Sequence, residues 1–340
     1  MPSVGQAYAK IGDDPAAPDL GGAARYRIRC EVLPVMIGLS EVTRLEEATR
    51  ALRELDYRSG GETCLDGVRL CLRESLPMLT APTSEHVRRR LHVAVADLRN
   101  LAGWVCFDVG LVDNAQNHFC HALALAGLAR ADGLTANVCY RLGRVFLHHG
   151  HFDEALRYFD LGQLAASRSG DGLAAGMLSA NAAWACAKKG AEHSARTLLD
   201  RGQEQFIAAN RSGVAGWAEF FTPADLSGLA GAVHTDLAVT AGRHYARTAV
   251  VLLTTAIDGY DEGMARSRTF GEISLATSHL IEGDVEAGVD VGLRALASSG
   301  SVGSARVRDR FRPLASHARR FRDHGGAREL AGRIDAVSAA

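Results

Sequence analysis

Between Val95 and Gly202 the chain repeats one phrase three times. Gly103, Gly143 and Ala183 open it, and Gly110, Gly150 and Gly190 punctuate it. Ala115, Ala155 and Ala195 follow, and Phe119, Phe159 and Leu199 close it. Every column advances by 40 residues. A fixed period restricts the fold more tightly than composition does. Each copy must form the same supersecondary unit and bury its apolar face against the next copy.

Within a copy the order is small residue, glycine, alanine, then an aromatic residue or leucine. This is the packing skeleton of the tetratricopeptide repeat, whose helix–turn–helix unit reads Leu-Gly, Tyr, Ala, Phe. The predicted fold is all-α: a tetratricopeptide-like right-handed superhelical solenoid of antiparallel helix pairs. A HEAT-type array also has a period near 40, but its order of small and aromatic positions fits less well. The punctuating glycines belong between the two helices of a pair, where a left-handed residue ends a helix favourably. Gly103, Gly143 and Ala183 belong where the two helices cross. The usual period is about 34 residues. The spacing from Gly103 to Ala115 recurs unchanged, so the extra residues are expected in the linkers near Ala131–Thr135 and Arg168–Leu173.

Around this centre the chain divides into five stretches. Residues 1–39 read as a poorly structured lead broken by Asp13-Asp14-Pro15 and Pro18, with a short helix through Ile28–Met36. Residues 40–82 read as a first helix pair, with Ser40 as N-cap and a stop at Gly60-Gly61. Residues 83–210 hold the three repeats. Residues 211–300 hold a degenerate pair, started by Thr222-Pro223, and a last copy around Leu275, Gly283 and Ala295. Residues 301–340 read as an Arg-rich capping helix.

Composition narrows the function by exclusion. The 340 residues carry a formal net charge of −1, so nothing global draws the chain to nucleic acid or anionic lipid. The basic residues are 35 Arg and only 3 Lys, which with abundant Ala and Gly fits a GC-rich genome. The seven cysteines form no CxxC pair, and Cys106 and Cys186 fall on buried repeat positions, so reduced core thiols are expected. With no signal peptide and no apolar run of about 18 residues, a cytoplasmic location without membrane contact is expected.

Several phrases together resemble one family. They are Leu55-Asp-Tyr57 with Gly60-Gly61, Leu101-Ala-Gly-Trp104 with Asp108 and Gly110, Trp217 with Phe220-Phe221, Arg266-Ser-Arg268, and Ser304-Ala-Arg306-Val307. As a set, covering about residues 40–322, they resemble the C-terminal tetratricopeptide region of actinobacterial Xre-type helix-turn-helix transcription regulators. The resemblance implies regulation of differentiation or secondary metabolism, sensing of a ligand or partner through the repeats, and a homodimer. The chain departs from that family at its start. Its first 40 residues are too few and too broken for the expected DNA reader, so direct DNA binding is not expected. A shortened chain and a stand-alone relative both fit.

In such arrays the first helices line a concave groove. Counted from the columns, its contact positions hold Asp97, Asn100, Trp104 and Phe107 in the first copy. The second supplies Asn137, Tyr140, Arg141 and Arg144, and the third supplies Asn181, Trp184 and Lys188. Arg, Asn and Lys can grip a carboxylate or a peptide backbone, and Trp and Tyr offer flat contact area. The mixture suits a peptide, a small anionic aromatic effector or a protein partner, although Trp104 and Trp184 would equally serve as core between repeats. His148-His149-Gly-His151, near His118 and His121, matches no zinc spacing and reads as a solvated helix end. No nucleophile elbow, phosphate loop or His-Glu-x-x-His is present, so no cofactor and no enzyme are expected. The alternative is a solenoid cavity that has acquired catalysis inside a biosynthetic gene cluster.

Overall fold

The computed structural model describes residues 36–210, 214–300 and 304–339. Among these residues all regular structure is helical. The first pair is α1 (Leu39–Ser59) and α2 (Gly61–Ser75), followed by a 3-10 turn (Leu76–Thr80). The three repeats are α3 (Glu85–Asp108) with α4 (Val112–Leu128), α5 (Asp132–His148) with α6 (Phe152–Ser169), and α7 (Gly172–Lys188) with α8 (Glu192–Ala208). Next come α9 (Pro223–Thr240), α10 (Tyr245–Gly259), a 3-10 turn (Glu262–Met264), α11 (Ala265–Glu282) and α12 (Val285–Ser299). The chain ends in α13 (Ala305–Ala318) and α14 (Gly325–Ala339). Residues 1–35, which hold most of the lead and all of the helix expected over 28–36 except Met36, lie outside the described residues.

The repeat columns pack as their chemistry requires. A Cβ on Gly143 would stand 2.2 Å from the Phe159 ring, and one on Gly103 would stand 2.7 Å from Phe119. The third copy tolerates Ala183 because its partner is the slimmer Leu199. Ala115, Ala155 and Ala195 are completely buried. Gly150 lies at φ +80°, as do Gly110 and Gly190 at similar angles. The turn around it closes with His151 N–H donating to the Phe146 carbonyl at 2.9 Å, the six-to-one bond of a Schellman cap.

The helices form two layers. Fourteen of the 17 residues of α7 are buried, against four of 17 in α8. A helix apolar all round belongs inside, and one with a single buried stripe belongs outside. The helices α3, α5, α7, α9, α11 and α13 touch one another in series, while α4, α6, α8, α10 and α12 cover them.

Three expectations need correction. The linkers do not hold the six extra residues. Only Ala129–Ala131 separate α4 from α5, and residues 170 and 171 separate α6 from α7. The added length is helical, because small buried residues such as Ala122, Ala126, Gly162 and Ala165 let the pairs keep packing for another turn. Ser40 is not the N-cap of α1. Gly38 is, with its N–H donating to Glu41 Oε2 at 2.9 Å. The tail is two helices rather than one, and α13 packs inward on α11 instead of presenting a polar outer face. Thr222-Pro223 does start α9, and Thr222 and Asp225 form a reciprocal capping box.

Replacing Gly143 by Ala should therefore lower stability by about 1–3 kcal/mol through overpacking against Phe159. Measured by urea unfolding, the loss should exceed that of Ala183→Gly, which removes a Cβ the fold accommodates.

Candidate ligand cavity

Asp108, the last residue of α3, is fully buried and receives hydrogen bonds from three distant parts of the chain. Gly61 N–H, at the start of α2, donates to Oδ2 at 3.1 Å. Arg266 Nη1, at the start of α11, donates to Oδ2 at 2.8 Å. Oδ1 accepts from Ser304 Oγ at 2.8 Å and from Arg306 Nε and Nη2 at 2.8 and 2.6 Å. Arg266 continues to Asp56 in α1, with contacts of 3.1 and 3.2 Å across 210 residues of sequence. Burial alone would raise the Asp108 pKa. The Arg306 and Arg266 guanidiniums outweigh it and hold the carboxyl well below the usual range. This network joins α1 and α3 to α11 and α13. The inner face of the repeats is thereby roofed by α13.

Under that roof lies a cavity of about 580 Å³. Trp104, Tyr140, Arg141, Arg144, Asn181 and Trp184 form its floor, from α3, α5 and α7. The segment before α9 adds Phe220 and Phe221, α1 adds Tyr57, α11 adds Phe270, and α13 adds Arg306 and Arg310. The segment is pinned across the repeats. Phe220 stacks on Tyr140 at 6.1 Å and leans on Tyr57 at 6.3 Å, and the Trp217 carbonyl accepts from Asn137 Nδ2 at 3.3 Å.

Guanidiniums and indoles interleave through this space. Arg306 and Arg141 lie 4.4 and 5.1 Å from the Trp104 ring centre. Arg310 and Arg144 lie 4.3 and 4.9 Å from that of Trp184. Such contacts attract a cation to the negative ring face, but they leave its charge uncancelled. Arg306 has Asp108. Arg141 donates only to the Asn100 carbonyl at 3.0 Å, and Arg144 only to Asn181 Oδ1 at 3.2 Å. Arg310 pairs with no carboxylate. Burial, reinforced by the Arg144 charge, pulls its pKa down to about 9.

Six of the eleven residues expected in the groove thus meet in the cavity wall. The other five lie outside it. Asn100 is fully buried and donates to Asn137 Oδ1 at 3.0 Å. Phe107 lies under Arg306 at 5.0 Å and against His148 at 5.4 Å. Lys188 holds Asp236, which also takes the Trp184 indole N–H at 2.6 Å. Asp97 pairs with Arg53 at 2.5 Å. His148 bonds Asp309 at 3.0 Å, tying α13 to α5, and burial pushes its pKa down to about 4 so that it is neutral at physiological pH. Tyr57, Phe220, Arg306 and Arg310 were not singled out as contact residues. They come from outside the repeats, where column counting has no reach.

A second titratable group faces the cavity from α9. Burial pushes the Asp225 carboxyl up to about 6, although Thr222 donates to it through both its N–H at 3.1 Å and its hydroxyl at 2.6 Å. Among the described residues no cluster of His, Cys, Asp and Glu could hold a metal ion, and no helix is long and apolar enough to cross a membrane. No protein-family model matches the chain, and no curated protein matches it.

Two predictions follow from the ionised and the near-neutral carboxyl. Asp108→Ala strands Arg306 and Arg266 without their shared counter-charge and should cost about 3–5 kcal/mol, read as a lowered chemical-denaturation midpoint. Asp225 behaves oppositely to a paired aspartate. Its pKa in the fold exceeds the unfolded value of about 3.9, so its stabilisation is present below that pH and is lost as the pH rises through about 6. Between pH 4 and 7 the wild type should lose stability relative to Asp225→Asn, and parallel stability profiles would refute this.

Proposed function

We propose that the chain is a non-enzymatic regulatory protein of the tetratricopeptide type, a right-handed solenoid whose closed inner face holds an effector or a short peptide. The observation that carries this reading is the cavity, with aromatic walls and inward-facing arginines, of which Arg141, Arg144 and Arg310 have no carboxylate partner. A volume of about 580 Å³ falls within the roughly 300–1,000 Å³ range of small-molecule sites. The layered helix pairs and the three 40-residue copies support the tetratricopeptide assignment. The phrases resembling Xre-type regulators support a role in transcriptional control. That control would be exerted in the cytoplasm through a partner or a second copy.

The proposed mechanism is a population shift. An occupant touches α1, the repeats, α11 and α13 at once, so it stabilises the closed arrangement over any in which α13 has parted from the repeats. A ligand moves such an equilibrium only by its differential affinity for the two states. At a hundredfold excess over Kd it would stabilise the closed form by about 2.7 kcal/mol.

A second reading, acquired catalysis in the cavity, is favoured by one observation. Asp225 is a carboxyl whose pKa of about 6 suits proton transfer near neutrality. Its hydroxyl and N–H contacts to Thr222 also serve as a helix cap, and no nucleophile stands paired with a base beside it.

Native mass spectrometry of the purified full chain tests the regulatory reading. Ser274 lines the cavity from α11, and Ser274→Phe fills the space without removing a charged or aromatic wall. Wild type is expected to carry a bound mass that this variant lacks. Equal occupancy in both proteins, at unchanged helical circular dichroism, would overturn the assignment of the cavity. Conversion of the bound molecule by wild type but not by Asp225→Asn would favour catalysis.

A further inference from the structure

The cavity's hydrogen-bonding groups are unbalanced, and the imbalance points to the occupant. On the wall formed by α5, α7 and α13 the polar groups are overwhelmingly donors. Arg144 uses one N–H on Asn181, and the rest of its fork is uncommitted. Arg310 stacks on Trp184 and, at 5.1 Å, on Phe270, with no acceptor for any of its five N–H groups. Tyr57 Oη and Arg141 Nε are buried without a hydrogen-bond partner. Buried donors are normally paired, and two guanidiniums held against one indole repel each other unless an anion lies between them. The carboxylates bonded to this wall are already taken, and the others lining the cavity, Glu54, Glu219, Asp225 and Asp261, come from α1, α9 and the segments flanking α9 and α10. Asp108 serves Arg306 and Arg266, and Asp236 serves Trp184 and Lys188.

We propose that the cavity takes a small molecule bearing an oxyanion, a carboxylate or a phosphate, on a flat ring system. The oxyanion sits between Arg144 and Arg310, and the ring lies against Phe220 and Tyr57. Two guanidinium forks on either side of one oxyanion supply paired, charge-assisted N–H contacts, the geometry in which arginine binds carboxylate and phosphate best. The ring supplies the apolar area that the aromatic walls require, since Phe220 and Tyr57 both line the space, their rings tilted 47° to one another. The proposal rests on the cavity being the functional site and specifies which chemical class enters it. An extended peptide is disfavoured because α13 and the segment before α9 cross the inner face. A cationic ligand is disfavoured because it would join a like-charged wall. The low pKa of Arg310 agrees with a guanidinium awaiting its counter-ion.

The test uses four probes of matched shape on the full-length chain: 1-naphthyl phosphate, 1-naphthoate, neutral 1-naphthamide and cationic 1-naphthylmethylammonium. Binding is followed by calorimetry and by quenching of tryptophan fluorescence, since the anion would approach Trp184. At least one of the two anions should bind saturably at one site, at least tenfold more tightly than the amide and the amine, and more weakly as salt is raised. Arg144→Gln and Arg310→Gln should each weaken that anion at least tenfold while leaving helical circular dichroism unchanged. Selective weakening of the phosphate alone, or of naphthoate alone, identifies the head group. If the amide or the amine binds as tightly as either anion and Ser274→Phe abolishes it, the anion assignment fails while the cavity remains a ligand site. If no probe binds, or if binding survives both arginine variants and Ser274→Phe, the proposal is overturned, and in the latter case the cavity is not where these molecules bind.

Discussion

The closed form of this protein depends on one buried carboxylate. Asp108 accepts five hydrogen bonds from α2, α11 and the start of α13, and Arg266 passes the connection on to Asp56 in α1. Repeat arrays hold together through neighbour-to-neighbour contacts, which place no demand on how far apart the two ends lie. Joining them takes an interaction strong enough to offset the loss of freedom of a long connecting stretch. A doubly paired, water-excluded carboxylate meets that requirement only when every partner is in place. Its desolvation is costly, and removing any one partner leaves an uncompensated charge.

The cavity is a consequence of that closure. Once α13 is drawn across the inner face, Arg306 and Arg310 enter a space already lined by Arg141 and Arg144. Aromatic rings make this arrangement tolerable. Trp104 and Trp184 each carry two guanidiniums against the ring, whose electron-rich faces offset part of the like charge, while Asn100 and Asn181 orient Arg141 and Arg144. The result is a wall rich in donors and poor in acceptors, built from elements that adjoin one another because the ends meet. A ligand binding there is coupled by geometry to the position of α13. His148 and Asp309 add a second tie between α13 and α5 that lies outside the cavity.

Much of this was legible in the chain, for identifiable reasons. The 40-residue columns located the crossing points, because a glycine facing a phenylalanine admits no Cβ and the constraint recurs in each copy. They also placed Trp104, Tyr140, Arg141, Arg144, Asn181 and Trp184 on one face, since positions one period apart in stacked helices share a side. They did not separate Asp97, Asn100, Phe107, Asn137 and Lys188 from that wall. A small rotation about the helix axis decides whether such a residue faces the cavity or its neighbour. The helical extension of the repeats was misplaced into linkers because alanine and glycine carry little periodic signal.

The phrases that carried the family resemblance have a physical counterpart. Asp56, Gly61, Asp108, Arg266, Ser304 and Arg306 all lie in them, and all belong to the closing network. Read along the sequence they are isolated residues at unrelated spacings. By itself the sequence determined the all-helical pairing and the face on which polar and aromatic side chains gather, because both follow from short-range periodicity. Only the tertiary structure decided that this face is roofed rather than open, and that the Arg-rich tail points into it. Those outcomes depend on contacts between groups some 200 residues apart, whose partners no local pattern names.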